Sequence, residues 1–130
     1  MGWDITLQYE GETPEGRKLA ETCQVQPFTF GSVLRATHDL QPIASCDADM
    51  SLTYNYSKHY YGTVNDTEGL RWLHGKRAED TIAQLQHAVN VLGTTVDVDY
   101  WASTPGNAGA ALAILLDWAN AHPDARWEVR

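Results

Sequence analysis

Residues 104–123 read TPGNAGAALAILLDWANAHP, and this stretch decides the fold. Thr104 is a good helix N-cap and Pro105 is tolerated in a first turn, so a helix is expected to open here and to stop at Pro123. Ala108, Ala111, Leu112, Leu115 and Trp118 line one side, and Ile114, Leu116 and Ala119 make the rest apolar as well. A helix that is apolar almost all round has no face for water and must be buried. Upstream, Ala78, Ile82, Leu85, Val89 and Leu92 recur at spacings of three and four, an apolar stripe on a second helix. Gly93 follows where a left-handed C-terminal cap is expected. Before that, Asp66 or Thr67 is placed to cap a short helix through Leu70, Trp72 and Leu73, ended by Gly75.

The pattern changes toward the N-terminus. Trp3, Ile5, Leu7 and Tyr9 alternate with polar residues, as do Met50, Leu52, Tyr54 and Tyr56, which predicts two half-buried strands. Val96 and Val98 suggest a short extended piece, and Trp127 to Val129 a final strand. Between Thr22 and Ile43 the pattern fits short strands or a small helix equally well. The expected fold class is α+β: a small antiparallel β-sheet with two main helices packed on one face, in a single compact domain over residues 1–130.

Composition narrows the function. Lys and Arg number 9 against 17 Asp and Glu, a formal charge of −8, so no basic stripe is at hand for a phosphate backbone and direct nucleic-acid binding is not expected. The longest apolar run, Ala110 to Leu116, is far too short to span a bilayer, and Asp4 interrupts any leader-like start. A cytoplasmic protein without membrane contact is the expectation. Cys23 and Cys46 are too few for a disulfide framework, and the five histidines form no metal-binding spacing, so no cofactor or metal is expected.

Two segments carry candidate recognition chemistry. SLTYNYSKHYYG, residues 51–62, interleaves Tyr54, Tyr56, Tyr60 and Tyr61 with Ser, Asn and His, the mix of rigid rings and adaptable hydrogen bonds found in binding loops. On a strand, Tyr54 and Tyr56 would face one way and Asn55 the other; the same rings equally suit the edge of a core. Thr104, Gly106 and Asn107 stand at a helix start, where exposed N–H groups can hold a carboxylate or phosphate, and Trp101 just upstream could stack on a base or plug the core. The spacing matches neither the P-loop nor the dinucleotide fingerprint. Asp47/Asp49 and Asp97/Asp99 are carboxylate pairs two residues apart, able to ligate a divalent ion if extended, or simply to solvate a sheet edge.

The opening Trp3-Asp4-Ile5, the run Thr53 to Ser57, Gly69 to Gly75, Pro105 to Gly109 with its apolar helix, and His122 to Ala125 occur together. In these motifs the chain resembles a family of small bacteriophage and actinobacterial proteins with no assigned activity. That resemblance covers roughly residues 50–130 and the first strand. It implies a phage-like origin and a family-variable insertion at about 19–49, but no reaction.

The resulting expectation is a non-catalytic binding protein in which Tyr54, Asn55, Tyr56, Tyr60, Trp101, Thr104, Gly106 and Asn107 form one surface for a host protein or a small nucleotide-like ligand. A counter-defence role fits the phage-like resemblance. Two other readings compete: a divalent-metal-dependent hydrolase using the paired aspartates, and an acidic interaction or oligomerisation module, with the Ala78 to Leu92 stripe serving a homodimer.

Overall fold

The computed structural model describes residues 2–9, 47–99 and 101–130. The expected insertion at 19–49 lies outside these, save for its last three residues, and so do Cys23, Cys46 and the segment from Thr22 to Ile43. The fold is α+β. Strand β1 (Gly2–Gln8) is the centre of a three-stranded antiparallel sheet, flanked by β2 (Asp47–Thr53) and β3 (Arg126–Val129). Helices α1 (Ser57–Tyr61), α2 (Ile82–Leu92) and α3 (Pro105–Ala121) complete the regular structure of the described residues, with 3-10 turns at Tyr54–Tyr56, Gly69–Leu73 and Ala78–Asp80.

Register explains which face of the sheet is buried. Trp3 pairs with Leu52, Ile5 with Met50 and Val129, and Leu7 with Trp127. Residues directly opposite in antiparallel strands share a face, so all seven side chains point the same way, and all seven are buried. The opposite face is more polar: Ser51 Oγ donates to Asp4 Oδ1 at 2.9 Å. Beyond β3 the chain from Gly75 to Ala78 runs alongside without forming a full strand. Gly75 N donates to Trp127 O, Trp127 N to Lys76 O and Ala78 N to Ala125 O, around an Arg77–Arg126 bridge. Val129 N, the next donor on that edge, is taken by His74 Nδ1 at 3.1 Å.

Helix α3 is buried as its composition requires: Ala108, Ala110, Ala111, Leu112, Leu115, Leu116, Trp118 and Ala119 are all inside. It packs along α2, and both helices join the sheet residues in one apolar core. Thr104 caps it through Oγ1, which accepts from Asn107 N at 3.1 Å, and Pro105 occupies the first turn. No helix among the described residues is long and apolar enough to cross a membrane.

Four local expectations are corrected. The strand through Tyr56 ends at Thr53, whose Oγ1 accepts from Asn55 N and starts a 3-10 turn that passes into α1. Tyr56 and Tyr60 are therefore four residues apart on helical backbone, and both enter the core. The next short helix is 3-10 in geometry and starts only at Gly69, after Glu68, without a side-chain cap. The turn before it is held by Asn65, whose Oδ1 accepts from Thr67 N and Glu68 N, and neither Asp66 nor Thr67 caps the helix. The helix expected from Ala78 begins only at Ile82, because Ala78–Asp80 forms its own turn and Ala78 N is committed to Ala125 O. Gly93 does have positive φ, at 74°, but with ψ −178°, a region open essentially to glycine alone.

Thr81 links these parts. Wholly buried, it donates to Ala78 O at 2.7 Å and accepts from Trp127 Nε1 at 2.9 Å, joining the entry of α2 to β3. Thr81→Val keeps the shape but strands the Trp127 N–H in the core, and is expected to cost about 1–3 kcal/mol in urea unfolding. Thr81→Ser, which keeps the hydroxyl, is expected to retain most of that.

A candidate binding surface at the start of the buried helix

The first turn of α3 holds the loop that precedes it. Asn107 is completely buried although polar. Its Oδ1 accepts from Asp97 N at 2.9 Å, and its Nδ2 donates to Asp99 O and Ala102 O, each at 3.0 Å. One side chain thus replaces the backbone partners that a strand would have supplied to Asp97, Asp99 and Ala102. Gly106 and Gly109 let the same loop lie flat on the helix. A methyl group at Gly106 would overlap the Thr95 carbonyl, and one at Gly109 the Gly93 carbonyl.

The loop also stabilises itself. Asp97 Oδ1 accepts from Asp99 N at 2.8 Å, and Asp99 Oδ1 from Trp101 N at 3.0 Å, two consecutive side-chain turns. From the other side, Asn55 Nδ2 donates to Trp101 O at 3.0 Å, and Ser103 Oγ meets His59 Nε2 at 3.3 Å. The expected extended piece at Val96 and Val98 is therefore an irregular loop whose hydrogen bonds come from side chains.

The eight residues singled out from the sequence are brought to one region, in three different settings. Tyr56 and Tyr60 lie beneath it with no exposed surface, and Tyr60 Oη donates to Ala108 O at 3.1 Å, so its ring anchors the helix start from below. Asn55, Thr104 and Asn107 direct polar atoms at neighbouring backbone, and the space over Gly106 is filled by Thr95. Tyr54 and Trp101 remain at the surface; Tyr54 lies edge-on to Trp3 with centroids 4.8 Å apart. Beside them the loop presents Val96 and Val98, the latter fully exposed at 104% and Trp101 at 43%. These two valines, with Asp97 and Asp99 as loop acceptors, were not among the candidate recognition residues. The available signal was small residues at Gly106 and Gly109, three apart on a helix start, which mark a backbone packed against that helix.

The carboxylates of Asp97 and Asp99 each use one oxygen in these turns instead of facing one another across an extended strand. Among the described residues no group of three or more His, Cys, Asp or Glu side chains is placed to hold a metal ion. Burial drives the Tyr56 and Tyr60 phenols well above their ordinary range, with the negative charge of Asp99 adding to the effect at Tyr56.

No family model, curated protein or solved structure matches the chain.

Asn107→Ala removes three hydrogen bonds and leaves backbone groups of the loop unpaired, at an expected cost of about 2–3 kcal/mol. Amide hydrogen exchange at Asp97 is expected to accelerate well beyond any change at Leu85 in the core. The two buried phenols give an alkaline signature. Their protons are held more tightly in the folded chain, so the stability they contribute is complete below about pH 10 and declines as pH rises above it, where the unfolded chain ionises first. Part of the tyrosinate absorbance is thus expected to appear only together with the loss of circular dichroism, and Tyr56→Phe to reduce that part.

Proposed function

We propose that the protein is a non-catalytic binding protein and that its partner is another protein, in keeping with sequestration of a host factor by a phage-like product. The contact surface is formed by residues 93–99 and 101–104 together with Tyr54. The observation that carries this reading is Val98, wholly exposed on a loop tied down by Asn107, Asn55 and two aspartate turns. Ordering a loop costs conformational entropy, and here the ordered loop holds apolar side chains in water, the arrangement that suits burial against a second macromolecule.

A nucleotide-like ligand is less well served. The amides of Asn55 and Asn107 and the hydroxyl of Thr104 are engaged within the chain, and Thr95 occupies the approach to Gly106. The nearest charges on the loop, Asp97 and Asp99, repel phosphate. Rings and branched aliphatic side chains on a pre-ordered loop favour instead an apolar recess on a partner, where rigid aromatic groups contribute most.

Calorimetric titration with nucleoside mono-, di- and triphosphates is expected to give no saturable heat. A photo-crosslinking residue at position 98, introduced in living bacterial cells, is expected to yield one discrete protein adduct that the same residue at exposed Gln86 does not give. Saturable nucleotide heat, or identical crosslinking at both positions, would overturn the proposal.

A further inference from the structure

We infer that this surface takes a cationic, apolar segment of its protein partner, a refinement that rests on the protein-binding reading above. The first observation is the charge of the loop itself. Residues 93–104 contain Asp97 and Asp99 and no Lys or Arg, and the two carboxylates flank Val98. Each uses only Oδ1 on a backbone N–H, so each keeps a second oxygen for a cation outside. An apolar tip between two held carboxylates is complementary to a segment that alternates apolar and basic side chains.

The second observation is where the protein keeps its own positive charge. Of the six Lys and Arg among the described residues, Lys58 is followed by Arg71, Lys76, Arg77, Arg126 and Arg130. Those five lie on the segments 71–77 and 126–130, which the Arg77–Arg126 bridge joins beyond β3. The loop meets the other side of the sheet order, through Asn55 just after β2. Five of the six described cations are thus gathered at one edge, the sixth, Lys58, stands on α1 next to His59, and residues 93–99 and 101–104 themselves carry carboxylates alone. With a formal charge of −8 overall, the approach of a basic segment is favoured over long range, and that of a second copy through the same loop is opposed.

The test uses a dye-labelled peptide of alternating leucine and lysine, and its counterpart of leucine and glutamate, with the intact protein in fluorescence anisotropy. The lysine peptide is expected to bind with an affinity that falls as salt is raised, and the glutamate peptide not to bind. Asp97→Asn with Asp99→Asn keeps Oδ1 as an acceptor in both turns while removing both charges. It is expected to weaken the lysine peptide by about threefold to tenfold, the range for two exposed charge pairs. Val98→Ser is expected to weaken it without changing the salt dependence, and circular dichroism verifies that both variants are folded. Binding of the two peptides alike, or affinity untouched by the asparagine pair, would overturn the inference; so would a concentration-dependent rise in mass by light scattering that Val98→Ser abolishes, since a second copy would then be the occupant. Should the adduct at position 98 form while peptide binding ignores charge, the protein-binding reading survives and only the cationic partner is lost.

Discussion

Because α3 is apolar over most of its surface, with Asp117 and Asn120 among its few exposed residues, the remainder of the molecule is organised around enclosing it, and the enclosure has to begin at its first turn. Along most of its length the helix is covered by ordinary apolar packing, with α2 on one flank and the sheet residues completing the core. Near its N-terminus small residues replace large ones. Gly106 and Gly109 leave grooves that accept backbone, and the chain leaving α2 turns at Gly93 to lie in them. Backbone laid against an apolar helix cannot leave its polar groups unpaired. Asn107 answers that need, since a single buried amide supplies two donors and one acceptor, and all three are used on the loop.

This arrangement gives the surface its character. Groups that would ordinarily mark a ligand pocket, a helix start with glycines, an asparagine and a threonine, hold the protein's own chain. What they hold in place is a loop whose outward side chains are Val96, Val98 and Trp101, adjoining the Tyr54 turn. Pre-ordering and apolar exposure occur together here. A flexible loop would lose entropy on contact, whereas this one has already lost it through folding, and that favours recognition by shape.

The large elements were legible in the sequence for simple reasons. Periodicity and capping chemistry are local, so Thr104 and Pro105 marked the start of α3 correctly and alternation marked β1. Alternation misled at Tyr54 to Tyr56, because aromatic residues two apart fit a strand, whereas Tyr56 and Tyr60, four apart, fit a helix; only the core decided between them. Ala78 likewise extended the apolar stripe of α2 on paper, yet its N–H is claimed by Ala125, a residue 47 positions away. The candidate surface was legible in membership more than in role. Asn55, Trp101, Thr104 and Asn107 do come together, but whether an amide faces solvent or the chain beneath depends on which backbone lies within reach.

By itself the sequence determined that the protein is α+β, that α3 is interior, where its cap stands, and that the molecule carries a strong negative charge. These follow from the chemistry of neighbouring residues, which acts within a turn or two of chain. Only the tertiary structure decided that Tyr56 and Tyr60 are core, that Asn107 is a buried clamp, and that Val98 stands in water between two carboxylates. Such outcomes depend on contacts between segments tens of residues apart, and a side chain's role there is set by which partner arrives, a quantity that local spacing does not encode.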